Sequence, residues 1–363
     1  MKRDYKPVRV GVIGGGKFGQ IHLQAFHQME LDGEAKLIAL CRRDQQSGAE
    51  QCKRYGIAYY ADYRQMILDA NLDAVSIATP DHLHREMALA AIESGKHVLI
   101  EKPMDTTEEG CRAIIRAAEE KGVLLQVDFH KRYDPEHQAL ERAAKQGDMG
   151  DLLYGYCWME DRLEVPVDWL SEWAPSSSPV WFLGVHFYDL VRWIIKSKAK
   201  SVNALGHRGF LSKEYGVDTW DSISVQVEFE SGAQFQFQSS WILPREFEAI
   251  VNQGLRIIGS RGIWEVDSQM RGSQSCFKDQ GMRTWNNNAM REYSNVEGQS
   301  RIGGYVVESI QEFARNVNRI NSGVSLYKLS GHYPDGYDGL EATRIAAAAH
   351  RSLETGEIIR LNS

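Results

Sequence analysis

From residue 8 to about residue 130 the apolar positions fall into short β-branched runs separated by stretches of helical period. In order they are VRVGVIGG, an amphipathic stretch from Phe18, KLIALC, a helix from Ser47, DAVSIA, a helix from Leu83, KHVLIE, a helix from Thr107 and VLLQVDF. Alternation of this kind predicts βαβ units around a parallel sheet. Beyond residue 150 the period changes. Ile223, Val225, Val227 and Phe229 share one face, the chain turns at Ser231-Gly232, and Phe235, Phe237 and Trp241 return in alternation with Gln234, Gln236 and Gln238. A period of two predicts an antiparallel hairpin. Further strands are expected at 152–159, 202–206, 255–258 and 262–266, which makes one antiparallel sheet of five or more strands. An amphipathic helix, LEATRIAAAAHRSLETG, and a short strand, EIIRL, close the chain.

The chain has 363 residues, more than one hydrophobic core usually serves. All nine tryptophans lie from Trp158 to Trp285, so composition shifts where the period does. Two domains are therefore expected, 1–130 as an α/β domain on a parallel sheet and 131–363 as a second, sheet-rich one. The tryptophans are expected mainly in sheet core, with one or two lining a pocket against a sugar ring. Charged residues at 25% and hydrophobic ones at 43% describe an ordinary globular chain. A net charge of −7 argues against nucleic acid or an anionic membrane as the main partner and in favour of a small molecule. The N-terminus carries no signal-peptide pattern and no run reaches about 18 apolar residues, so the cytoplasm is the default expectation. Cys41, Cys52, Cys111, Cys157 and Cys276 are scattered, which suggests free thiols and neither a disulfide framework nor a metal site.

Gly14, Gly16 and Gly19 form G-x-G-x-x-G between the first strand and the first helix. The first glycine allows the tight turn, the second lets backbone approach a pyrophosphate, and the third brings helix and strand together. Lys17 and Phe18 complete this cofactor-binding turn, and the helix start offers free N–H groups and a positive dipole to the diphosphate. At the end of the second strand an acid bonds a ribose 2'-OH and an arginine pairs with a 2'-phosphate. Here the text is LIALCRRD, with Arg42 at that place, Arg43 next and Asp44 late. NADP(H) is therefore expected over NAD(H), and NAD(H) is the alternative if both arginines are simply solvated.

After KHVLI come Glu101, Lys102 and Pro103. A lysine at the carboxyl end of a parallel strand lies where such sheets bind ligands. Its ammonium can polarise a carbonyl or hold a developing alkoxide there. Taken alone, Lys102 reads sooner as a surface lysine than as a ligand residue.

GVIGGGKFG, ATPDHLHREMALAAIESGKHVLIEKPM, DFHKRYDP, GVHFYD and the closing GLEATRIAAAAHRSLETG occur in this order, and with them the chain resembles the glucose-fructose oxidoreductase/inositol 2-dehydrogenase (Gfo/Idh/MocA) family over nearly its whole length. The resemblance implies a Rossmann domain, a C-terminal α/β domain with a large open-faced, mainly antiparallel sheet, a nicotinamide cofactor, and a homodimer or homotetramer built on that sheet. It implies that Lys102 bonds the reacting hydroxyl and that His186 is the acid or base. Asp189 lies one helical turn from His186 and either orients its imidazole or pairs with Arg192. Thr79, Pro80, His84, Glu101, Lys102 and Arg132 fall at family cofactor positions, and Arg162, Asp168 and Trp173 fall in a family substrate loop. One departure stands out: Phe182 occupies the place, four residues before the histidine, where many polyol-oxidising members carry an aspartate.

These residues imply hydride transfer between a nicotinamide and a hydroxyl or keto carbon of a sugar, sugar derivative or cyclitol, with the cofactor carrying the hydride and the protein aligning the partners. Phe182 shifts the expectation from a standard inositol dehydrogenase toward other sugar oxidoreductases. Two rivals stand beside this reading. One is a glycoside-cleaving hydrolase or lyase that oxidises its substrate transiently with tightly bound cofactor, and the other is a non-enzymatic dinucleotide-binding protein.

Overall fold

The computed structural model describes residues 6–267, 273–277 and 281–361, which divide into two compact units, 1–130 with 290–340 and 131–289 with 341–363. In the first unit β1 (Val8–Ile13), β2 (Ala35–Cys41), β3 (Ala58–Tyr60), β4 (Ala74–Ile77), β5 (His97–Ile100) and β6 (Leu125–Val127) form one parallel sheet in the order β3-β2-β1-β4-β5-β6. The linking helices are α1 (Lys17–Leu31), α2 (Gln45–Tyr55), α3 (Tyr63–Asp69), α4 (His84–Glu93) and α5 (Glu108–Lys121). This is the doubly wound order, with its switch point between β1 and β4. Val8, Val10, Val12, Ala74, Val75 and Leu99 are fully buried, as strands covered on both faces require. The edge strand β3 does not show in the sequence pattern, because three half-exposed residues have no period to read. Glu101 therefore follows the fifth strand of the sheet and not the fourth.

Helix ends obey local chemistry. Asp44 accepts from the Ser47 amide and Thr107 from the Gly110 amide, and the left-handed Gly56 and Gly122 close the helices these residues start.

The expected division at residue 130 omits one return of the chain. The helix Tyr305–Asn321 belongs with the first unit, where Val307, Ile310, Phe313, Ala314 and Val317 share a core with β1 and α1. Its polar face is tied to the same unit: Asn318 accepts from the Val8 amide at 3.2 Å and donates to the Glu34 carbonyl at 2.7 Å.

The second unit carries α6 (Pro135–Gln146), β7 (Leu152–Arg162), α7 (Val185–Ile195), β8 (Ala199–Arg208), α8 (Phe210–Tyr215), β9 (Trp220–Phe229), β10 (Gln234–Leu243), β11 (Val251–Gly259) and β12 (Ile263–Asp267). With the terminal strand Ile359–Arg360 they make a seven-stranded sheet in the order β12-β11-β7-β10-β9-β8 and then that strand. The β9–β10 hairpin has the expected register, Phe235 opposite Val227 and Phe237 opposite Val225, with Gly232 at φ 86° in its turn. Its apolar set is buried, and Gln226, Gln234 and Gln236 face outward beside the exposed Tyr154 and Tyr156.

The sheet is mainly antiparallel, as expected, and one pairing in it is parallel. β7 pairs with β10 in parallel, Tyr154 beside Gln234 through Glu160 beside Ser240, which only a long crossover connection allows. The tryptophans are less buried than expected. Among those described, Trp241 and Trp181 are buried, Trp158, Trp173, Trp193, Trp220 and Trp264 are half-buried, and Trp169 is exposed.

Phe313 is fully buried at the centre of the core shared by the returning helix and β1. Phe313→Ala should cost the first unit about 3–5 kcal/mol, because no neighbouring segment can collapse into the space of a ring. Urea denaturation followed by a probe in this unit measures the loss.

Candidate active site

The carboxyl ends of β1, β2 and β4 converge on the glycine turn. The Gly14 amide donates to the Cys41 carbonyl at 2.9 Å, and the Ala78 amide donates to the Ile13 carbonyl at 2.8 Å. Gly14 has φ 103°, and a Cβ there would lie 2.1 Å from the Ala78 carbonyl oxygen. A Cβ on Gly19 would lie 2.0 Å from the Gly14 carbonyl oxygen. Both positions therefore require glycine, one for its dihedral and both for close backbone approach. Gly16 differs. It precedes α1, its backbone faces open space with nothing within 4 Å of a built Cβ, and no side chain caps the helix start. A diphosphate fits this cradle, since uncapped N–H groups and the helix dipole both favour an anion.

At the end of β2, Arg42 donates to the Gly15 carbonyl at 2.5 Å and Gln51 donates to the same oxygen at 2.9 Å. Arg42 thus lies against the glycine turn, and Arg43 is exposed. Asp44, the nearest acid, is taken up as the cap of α2, and that bond holds its carboxyl below the usual carboxylate range.

The loops after β4 and β5 are braced to each other by His84. Its Nδ1 lies 2.7 Å from the Pro103 carbonyl and its Nε2 lies 2.8 Å from the Thr79 carbonyl. Both ring nitrogens are occupied by backbone, so His84 fixes the loops that carry Thr79, Pro80 and Lys102. The Lys102–Pro103 peptide is cis, and Lys102 is buried. The Glu101 side chain turns inward. Oε2 accepts from the Lys102 amide at 3.2 Å, and Oε1 lies 3.2 Å from His22 Nε2.

In the second unit the stretch expected as one helix from Val180 begins with a π-helical turn, Val180–Gly184, and continues as α7. A wider turn changes which residues share a face. A Cβ on Gly184 would lie 2.9 Å from the Tyr188 hydroxyl. Phe182 packs edge-on to Trp173 and tilted to Trp241, with ring centroids 5.9 Å apart in both cases. His186 and Asp189 are both buried on α7.

Of the two partners weighed for Asp189, the structure shows neither holding its carboxylate. Arg132 does, through Nε to Oδ2 at 2.8 Å and a second, parallel bond from Nη2 to Oδ1. Arg132 also lies over the Trp193 ring at 5.6 Å. The Arg132 guanidinium meets both carboxylate oxygens at once, the bidentate geometry that makes such pairs strong. Arg162 is likewise engaged, with Glu164 and with the Phe247 carbonyl at 3.0 Å. Asp168 forms a forked, half-exposed pair with Arg245.

Sequence reading missed four polar residues gathered behind Glu101 in the first unit. His22 Nδ1 lies 2.7 Å from Ser76 Oγ, and Ser309 donates to Asp128 Oδ1 at 2.5 Å. The one local signal was a histidine on the apolar face of α1. Its partners Ser76 and Glu101 lie 54 and 79 positions away, and Ser309 meets Asp128 across 181, beyond any helical or strand period.

Residues 8–129 match the GFO_IDH_MocA family, described as an oxidoreductase family with an NAD-binding Rossmann fold, and residues 137–265 match the GFO/IDH/MocA C-terminal domain. The scyllo-inositol 2-dehydrogenase (NAD(+)) of Bacillus subtilis is 30% identical over 264 residues, 70% of this chain and 74% of that protein. The inositol 2-dehydrogenase of Rubrobacter xylanophilus is 27% identical over 73% of each chain. The crystal structure of myo-inositol 2-dehydrogenase from Lactobacillus plantarum superposes with a TM-score of 0.79 at 20% identity, covering 98% of this chain and 100% of that one, a likeness of fold.

The buried Arg132–Asp189 pair generates a stability prediction. Arg132→Ala leaves the carboxylate buried without its counter-ion and should cost about 3–5 kcal/mol. Replacing Asp189 by Leu in the same background should recover part of that loss. Thermal denaturation of the three proteins tests it.

Proposed function

The chain belongs to the Gfo/Idh/MocA oxidoreductases, and from that premise we propose that it transfers hydride between a nicotinamide dinucleotide and the CH–OH carbon of a sugar or cyclitol. The observation that carries this reading is the Glu101-Lys102-Pro103 turn at the carboxyl end of β5, in a domain whose Gly16 cradle fits a diphosphate. Bound there, the nicotinamide supplies the hydride acceptor or donor. Lys102 Nζ holds the reacting oxygen, and its positive charge favours the alkoxide character that develops as the C–H bond breaks. The His186 imidazole accepts the hydroxyl proton in oxidation and returns it in reduction. Asp189, held by Arg132, keeps the helix that carries His186 in place, and Arg162 and Asp168 shape the substrate loop. Relatives named as dehydrogenases support net oxidation or reduction over redox-assisted glycoside cleavage.

Phe182 gives the substrate an aromatic neighbour where an acid was expected. Its packing with Trp173 and Trp241 suits the C–H face of a ring, so the proposed substrate is a sugar or cyclitol bound through one less polar face. Self-association as a homodimer or homotetramer through the open face of the seven-stranded sheet belongs to the same reading.

The cofactor choice follows from the end of β2. Asp44 is committed to its helix, and Arg42 beside Gly15 with the exposed Arg43 suits a 2'-phosphate. The protein should therefore prefer NADP(H). Arg42→Ala should lower kcat/KM for NADP(H) about tenfold or more relative to NAD(H), the worth of one charge-assisted bond. Initial rates with both cofactors decide it, and a wild-type preference for NAD(H) rejects the assignment.

Lys102→Ala should lose about two to three orders of magnitude in kcat while still binding dinucleotide, as judged by fluorescence titration. A sugar and cyclitol panel followed by nicotinamide absorbance identifies the substrate on which to measure this. Unchanged turnover would refute the role of Lys102.

A further inference from the structure

Five elements of the first unit converge on one buried polar cluster: His22 of α1, Ser76 of β4, Glu101 after β5, Asp128 after β6, and Ser309 of the Tyr305–Asn321 helix. Each of these side chains is within 8% of complete burial, and Lys102 and His130 are buried beside them. The His22, Glu101 and Asp128 polar atoms lie within 4.8 Å of one another. His22 Nε2 lies 3.2 Å from Glu101 Oε1 and 3.7 Å from Asp128 Oδ2. Because His22 Nδ1 has the Ser76 hydroxyl at 2.7 Å, Nε2 is free to carry the hydrogen that Glu101 accepts.

The hydrogen-bond inventory then leaves one oxygen over. Asp128 Oδ1 accepts from Ser309, but Asp128 Oδ2 is buried with no hydrogen-bond donor among the described residues, and the Glu101 carboxylate is its neighbour. Two buried, ionised carboxylates within 4.8 Å of each other, one with an oxygen lacking a donor, are unfavourable. A proton on Asp128 Oδ2 removes both faults, since Oδ2 becomes a donor to Glu101. It also reduces the buried negative charge to one carboxylate, on Glu101, whose Oε2 already takes the Lys102 amide.

We propose that Glu101 and Asp128 hold one proton between them, carried by Asp128, and that the remaining anion on Glu101 is the counter-charge that positions the Lys102 ammonium. Glu101, Asp128 and His22 are positioning residues in this scheme. The electrostatics agree in direction. Burial raises the Asp128 carboxyl well above its ordinary range, and the Glu101 charge adds to this against the Ser309 bond and Lys102. Burial also opposes ionisation of Glu101, but the His22 bond and charge, then Lys102 and His130, outweigh it and hold Glu101 at about 2. His130 stacks between Tyr305 at 5.6 Å and Phe18 at 6.4 Å, and it completes the titratable groups that face the pair. The counter-charge clause rests on the reading of Lys102 as the oxygen-binding residue. The shared proton does not.

Infrared difference spectroscopy of the whole protein at neutral pH tests the proton directly. The wild type should show a protonated-carboxyl C=O band, sensitive to D2O, that is lost in Asp128→Asn and displaced in Glu101→Gln, where its acceptor has changed. If either variant fails to fold, wild type labelled with carboxyl-13C aspartate should show the same band moved by the isotope. Carboxylate bands alone at these positions overturn the shared proton. The pH dependence of kcat/KM tests the counter-charge. Glu101→Gln should move the alkaline limb toward lower pH by about one unit or more, the usual effect of losing an adjacent opposite charge. Asp128→Asn, neutral replacing neutral, should leave that limb where it is, whatever it does to the rate. A Glu101→Gln profile lowered at every pH with its limb unmoved overturns the counter-charge and leaves Glu101 a structural residue. An active Lys102→Ala enzyme defeats the reading of Lys102 and leaves the infrared result standing.

Discussion

The contact of Gly14 with the Ala78 carbonyl governs the first unit. A Cβ at Gly14 would sit 2.1 Å from that oxygen, and a Cβ at Gly19 would sit 2.0 Å from the Gly14 carbonyl oxygen. Three chain segments, the end of β1, the start of α1 and the end of β4, are thus pressed together with no side chain between them. From this point the amides of Gly14 and Ala78 reach the Cys41 and Ile13 carbonyls, which levels the carboxyl ends of the central strands. The open ground at Gly16 exists because its neighbours are so tightly packed. A ligand-binding surface arises at the end of a parallel sheet when backbone, not side chain, forms its floor.

The same sheet delivers a second layer of organisation beneath its carboxyl edge. Glu101 and Asp128 leave adjacent strands, β5 and β6, and so arrive side by side. The His22 and Ser309 helices cover them from outside the sheet. Two like charges meeting this way need hydrogen bonds or a proton, and the cluster supplies both from residues remote in sequence. His84 plays a parallel role in backbone, holding the Thr79 and Pro103 carbonyls at 2.8 and 2.7 Å and so setting the loops on either side of Lys102.

In the second unit, packing and charge separate differently. Alternation buries one face of β9 and β10 and leaves the other to glutamines and tyrosines. The Arg132–Asp189 pair lies at the helices. With side chains 8% and 1% exposed, it anchors the segment after residue 130 to α7. A buried pair of this kind contributes specificity of arrangement more than net stability, since its attraction is offset by desolvation. The π-helical turn ahead of α7 carries Phe182, whose ring packs against Trp173 and Trp241.

Local rules made much of this protein legible from its sequence. The glycine spacing, the capping residues Asp44 and Thr107, the βα alternation and the Ile223–Phe237 alternation are each set within a few residues, so their physics is present in the linear text. Lys102 was legible as well, because the end of a parallel strand is a place that the sequence can mark. Tertiary structure alone decided what depends on remote partners. β3 is too short to carry a period, and the parallel β7–β10 pairing depends on a crossover. The return of Tyr305–Asn321 to the first unit turns on which apolar face its residues meet. Asp189 had two candidates within one helical turn, and its carboxylate is held by an arginine 57 positions away, because the fold sets that guanidinium square to both carboxylate oxygens. Sequence determined which segments could be strands, helices and ligand turns. The folded sheet determined which buried charges face one another, because that is a matter of strand order, which no local pattern encodes.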